Sequence, residues 1–244
     1  MKGKNKMKRY GFTLAEVMIT LAVIGVVSAL TVPNLVGNAS KKGQVALLRK
    51  AHVELEEAIQ TEMAERDLKN LKNMINTDEK VNSFLIKYYK VTTNCGLTTS
   101  SGSSCLGSSI YNINGDAVSI PTGLTCITNA AGITVCMGKS SNDGYGEILV
   151  DVNGKKDPNI VGRDVFGLSY QPNGDVVDGI NLSVKNQLEE LYEQREAGEI
   201  TEDQYIQERD EITAQGENAE TCINGVNLYG CFGTIVNSDW EMTY

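Results

Sequence analysis

The sequence predicts an α+β protein. A long N-terminal α-helix, membrane-spanning in its first half and amphipathic in its second, packs on a small antiparallel β-sheet, with a helical-hairpin insertion near the C-terminus. Three observations predict this. No charged residue occurs from Val17 through Ser40, a run that meets the roughly 20 apolar residues a bilayer-crossing helix needs. Val45, Leu48, His52, Leu55, Ile59 and Met63 then recur at spacings of three and four, on one helix face. From Val91 to Val177 the pattern becomes short β-prone runs separated by Gly, Asn and Ser.

Charge is distributed unevenly over the 244 residues. Lys and Arg total 22 against 31 Asp and Glu, a net charge of -9. Residues 1–11 hold Lys2, Lys4, Lys6, Lys8 and Arg9 and no acid, leaving 17 basic and 31 acidic residues beyond them. A basic block before an apolar helix predicts that this end stays cytoplasmic while the bulk is exported. The acidic remainder lacks the basic excess of a nucleic-acid binder. His52 is the single histidine, which argues against His-based zinc sites and Ser-His or Cys-His catalysis. With no nucleophile elbow, P-loop or HExxH either, the chain does not read as an enzyme.

The first apolar segment carries the most specific signal. A secretory signal peptide places its small-residue cleavage site after the apolar stretch; here the small residue, Gly11, precedes it. Glu16 lies one turn into the apolar run, where a carboxylate is costly and therefore a functional candidate. The segment GFTLAEVMITLAVIGVVSALTVP resembles the N-terminus of type IV prepilins and type II secretion pseudopilins, a resemblance limited to the first 35–60 residues or so. It implies cleavage after Gly11 by a membrane prepilin peptidase, N-methylation of Phe12, and pairing of Glu16 with the terminal amine of a neighbouring subunit during filament assembly. It also implies that Gly25 and Pro33 bound a stretch that loses helical structure in the filament. The partners implied are other pilin or pseudopilin subunits, the peptidase, the inner-membrane assembly platform and the membrane, with no nucleic acid. The location implied is the inner membrane with an exported head, then a pilus or periplasmic pseudopilus.

On this reading residues 1–11 are a cleaved basic leader, 12–36 the transmembrane and assembly helix, and 37–90 an amphipathic helix with a second helix. Residues 91–244 form a disulfide-stapled β-rich head. A continuous helix from Phe12 to about Leu68 would span roughly 80–90 Å. His52 falls on its apolar stripe and reads as a satisfied, half-buried histidine. A second helix, about Asp78–Lys90, turns Val81, Phe84, Leu85 and Tyr88 to a common side. Ile110–Ile113 and Ala117–Ile120 flank Asn114-Gly115, a hairpin-turn signal. Strand pairs are also expected at Thr125–Thr128 with Ile133–Cys136 and at Phe166–Tyr170 with Asp175–Val177, while Ile148–Val152 leads into a hairpin turn at Asn153-Gly154. The insertion, about 183–214, reads as one helix ending at Gly198 and another opened by a Thr201–Gln204 capping box.

The six cysteines, Cys95, Cys105, Cys126, Cys136, Cys222 and Cys231, all follow the apolar segment. In an exported domain an even count implies disulfides, with 15 full connectivities open. Neighbour pairing would give three loops of similar span, and the Cys222–Cys231 loop resembles the C-terminal disulfide loop of pilins. The Ser- and Gly-rich stretch between Cys95 and Cys105 reads as a flexible loop. Asp151, Asn153, Asp157 and Asp164 offer the oxygens calcium prefers, without EF-hand spacing. Solvated acids around a turn are the favoured reading, with structural calcium as the only cofactor considered. A subunit of a pilus-like or secretion filament is thus the leading expectation; a single-pass, membrane-anchored binding or adhesion domain is the alternative.

Overall fold

The computed structural model describes residues 12–72, 74–99, 102–107, 109–141, 144–179, 182–216, 222–223, 225 and 228–244. Helix α1 runs Leu14–Glu65, shorter at both ends than the expected Phe12 to Leu68. Its contacts divide between two compact units, Met1–Lys41 and Lys42–Tyr244.

In the second unit the predicted stripe is the core face. Val45, Leu48, Leu55, Ile59 and Met63 are buried, each contributing about 1.5–3 kcal/mol when fully removed from water. His52 is half-buried. Its Nε2 lies 2.8 Å from the Val176 carbonyl, and its ring packs against Phe232 and Trp240 with centroids 5.0 and 5.8 Å away. Helix α2, Asp78–Tyr88, begins where the Thr77 side chain accepts from the Lys80 amide at 3.3 Å. Asp78 and Glu79 occupy its first turn and Lys87 its last, matching the helix dipole. Val81, Phe84 and Leu85 are its buried face.

The strands are β1 (Val91–Leu97), β2 (Ile110–Tyr111), β3 (Ala117–Val118), β4 (Thr125–Asn129), β5 (Thr134–Met137), β6 (Gly146–Asp151), β7 (Asn159–Ile160), β8 (Val165–Tyr170) and β9 (Val176–Asp178). Six form one antiparallel sheet in the order β1-β4-β5-β6-β8-β9. The other three form a second sheet, β3-β2-β7, in which β2 and β7 run parallel. That second sheet overturns one expectation: Asn153-Gly154 does not close a hairpin. Strand β6 pairs with β8, and the chain between them departs to lay β7 beside β2. The Asn114-Gly115 and Gln171–Gly174 turns do form hairpins, each ending in a left-handed glycine, Gly115 at φ 91° and Gly174 at φ 92°.

Edge strand β1 is bulged at two places, between Val91 and Thr93 and between Asn94 and Gly96. Edge strand β9 is covered by α1: besides His52, Glu56 Oε1 accepts from the Val176 amide at 3.3 Å and Gln60 Nε2 donates to the Asn173 carbonyl at 3.2 Å. Such covering and bulging blunt the pairing capacity of open edges.

Helices α3 (Leu182–Glu196) and α4 (Glu202–Gly216) form the hairpin. The Thr201–Gln204 box is closed by hydrogen bonds of 3.0, 3.0 and 3.3 Å. A short helix, α5 (Cys231–Asn237), ends the fold. Its N-cap is Gly230, at φ 91°, which has no side chain to cap with. Asp178 of β9 substitutes, accepting from Gly230 N at 2.8 Å and Gly233 N at 2.6 Å.

Candidate functional site: the N-terminal helix and the head that carries it

Leu14–Thr31 is an 18-residue stretch with mean hydropathy 2.1, none of it buried, long and apolar enough to cross a membrane. Phe12 is 90% exposed and Leu14 80%. Exposed apolar surface on this scale marks a membrane or protein contact. Both threonine hydroxyls within it are turned back onto the helix: Thr20 donates to Val17 O and Thr31 to Val27 O, both at 2.9 Å. Such back-bonding spares a hydroxyl the cost of facing lipid without a partner.

Glu16 is folded onto its own helix start. Its Oε2 accepts from the Thr13 amide and from the Thr13 hydroxyl, each at 2.8 Å, while the Glu16 amide donates to Thr13 Oγ1 at 3.2 Å. This is a reciprocal capping box. It sets the carboxylate beside Thr13, the residue that follows Phe12. Gly11 lies outside the described residues. Gly25 leaves open space, with nothing within 4 Å of where a Cβ would stand, and α1 passes through both Gly25 and Pro33 without a break.

The disulfides of the head join Cys95–Cys105, Cys126–Cys136 and Cys222–Cys231, with Cα separations of 5.8, 4.0 and 4.5 Å. Cys126 and Cys136 face each other across β4 and β5. Strand β1 runs on past Cys95 to Leu97, and Thr99 and Gly102 bridge to each other. The third disulfide leaves no room at Gly162, where a Cβ would lie 2.6 Å from Cys231 Sγ.

Of the calcium candidates, Asp151 and Asp164 are buried together, but protein donors already occupy their oxygens. Asp164 accepts from Ile160 N at 2.6 Å, Asn153 Nδ2 at 2.8 Å and Arg163 Nη2 at 2.7 Å. Asp151 accepts from Asn153 N at 3.1 Å. With its amide turned so that nitrogen meets acceptors, Asn159 donates to Asp151 Oδ2 at 3.3 Å and to Lys156 O at 3.2 Å, and accepts from Gly107 N at 3.1 Å. Burial, reinforced by the Asp164 charge, pushes the Asp151 carboxyl up to about 8. One guanidinium and four amide N–H donors stand where calcium would need its shell of six to eight oxygens. No group of three or more His, Cys, Asp or Glu side chains among the described residues could hold a metal.

The comparisons with known proteins fall on the same N-terminal segment. Residues 6–32 match the family model of the prokaryotic N-terminal methylation motif. Type II secretion system core protein G of Escherichia coli is 53% identical over 34 residues, 14% of this chain and 23% of that protein. The protein of the same description from Aeromonas hydrophila is 46% identical over 39 residues, 16% and 27% respectively. That from Vibrio cholerae is 44% identical over 41 residues, 17% and 28%. The chain spans about a quarter of the length of the curated relatives it matches. No solved structure matches it. The N-terminal segment of this chain thus carries the prokaryotic N-terminal methylation motif and is similar to the corresponding segment of type II secretion core protein G.

Proposed function

We propose that the chain is a structural subunit of a type IV pilus-like or type II secretion filament. A prepilin peptidase cuts after Gly11, Phe12 becomes the methylated terminus, and the subunit polymerises by moving its apolar helix from lipid into a helix bundle. Other pilin or pseudopilin subunits and the inner-membrane assembly platform are its partners, and the head lies outside the inner membrane. The observation that carries this reading is the Glu16 carboxylate, held at the start of the apolar, unburied stretch Leu14–Thr31 of α1. A buried cationic amine on a neighbouring copy is the counterpart such a group calls for. Gly25 and Pro33 have the weak helix propensity that local unwinding in a filament requires.

The test is Glu16→Ala in cells that assemble the filament. Intact mass of the membrane-bound subunit should still begin at methylated Phe12, while the variant is excluded from filaments. Normal incorporation would overturn the pairing. Unchanged processing of Gly11→Ala would overturn the cleavage site.

A further inference from the structure

The hairpin is not merely a solvated appendage: it walls a cleft. Asn70, Tyr145, Gln171 and Asn173 of the head face Tyr192, Arg195, Tyr205 and Arg209 of α3 and α4 across a cavity of about 300 Å³. That is at the lower end of small-ligand pockets. Glu202 and Pro172 complete the lining. Apart from Pro172, every lining side chain ends in an aromatic ring, a guanidinium, an amide or a carboxyl.

The hairpin side is preorganised. The Arg195 guanidinium carbon lies 4.6 Å from the Tyr192 ring centroid and 4.5 Å from that of Tyr205. Tyr205 is only 8% exposed. A guanidinium held between two rings has lost most of its rotational freedom before any ligand arrives, which lowers the entropic cost of binding.

We infer that this cleft binds a neutral carbohydrate, a mono- or disaccharide unit. A sugar ring presents C–H faces that suit aromatic rings and a rim of hydroxyls that suits planar, multidentate groups such as amides, guanidinium and carboxylate. The composition disfavours the other ligand classes. An apolar peptide anchor would find Pro172 as its one aliphatic contact among the lining residues. An anion would meet arginines that already have carboxylate neighbours: Arg195 lies 3.0 Å from Glu196 and 3.9 Å from Glu202, and Arg209 lies 2.7 Å from Asp210. The sugar hydroxyls need no net charge in the site, only donors and acceptors.

The experiment uses the full chain in lauryldimethylamine oxide micelles, whose headgroup is not a sugar. Saturation-transfer NMR is run against methyl glucoside, methyl galactoside, N-acetylglucosamine, maltose and glucuronate. At least one neutral sugar should give saturable transfer, and Gln171→Ala should weaken it about tenfold through loss of a hydrogen-bonding amide. Asn70→Ala, at an exposed position, is a second variant that leaves the hairpin packing alone and should weaken binding as well. The inference is overturned if no neutral sugar saturates up to about 100 mM, if binding is indifferent to both substitutions, or if glucuronate is preferred.

Discussion

Glu62, on α1 and 2% exposed, is bound to Lys87 of α2 at 2.6 Å. The Tyr88 hydroxyl adds a hydrogen bond of 2.8 Å and Arg66 an ion pair of 2.5 Å. Burial alone would raise the Glu62 carboxyl, but the hydrogen bonds from Lys87 and Tyr88 and the two positive charges hold it below its usual range. This network clamps the two helices that form one side of the core. Glu62→Gln should cost about 1–3 kcal/mol, since Lys87 and Arg66 stay partly solvated when their partner is neutralised. Because the folded carboxyl is depressed, wild-type stability from this group is present above the unfolded value and is lost as pH falls through the folded one. Chemical denaturation across the acid range should show a shallower decline in the variant.

Asp151 carries the opposite sign. Its carboxyl, at about 8 against an ordinary 3.8, binds its proton more tightly in the folded state. The stability it contributes is complete below the unfolded value and disappears as pH rises towards 8. Asp151→Asn, which keeps an acceptor and carries no charge to bury, should flatten the loss of stability between about pH 5 and 9. Thermal unfolding should show the variant more stable than wild type at the alkaline end.

Asp178 is 4% exposed and caps α5 through two backbone amides. Asp178→Asn places an amide group against N–H donors and should cost about 2–4 kcal/mol. Limited proteolysis should cut this variant within the C-terminal segment well before wild type.

The Cys222–Cys231 loop closes nine positions of chain beside Gly162. Replacing both cysteines by serine should cost about 2–3 kcal/mol by the chain-entropy relation for short loops. Urea midpoints of the variant and of wild type under non-reducing conditions measure the difference.

What could be read from the sequence was periodic or local. The α1 stripe from Val45 to Met63, the buried face of α2 and the Thr201–Gln204 box each depend on spacings of three or four, and the structure places them accordingly. The Asn153-Gly154 turn shows where local reading stops. The dipeptide has the right chemistry for a hairpin, but pairing of β7 with β2, some fifty residues earlier, takes the chain elsewhere. Asp178 carried no signal, because its partners lie 52 and 55 residues away. The cleft draws its lining from the end of α1's connection, two strand turns and two helices, an assembly that no spacing rule anticipates.

The Thr13–Glu16 cap has a consequence for the proposed filament. Both bonds fall on Oε2, so the group is pinned while its second oxygen keeps lone pairs for an ammonium. An arriving amine would then meet an acid already fixed in height along its helix, and only a copy in register would reach it.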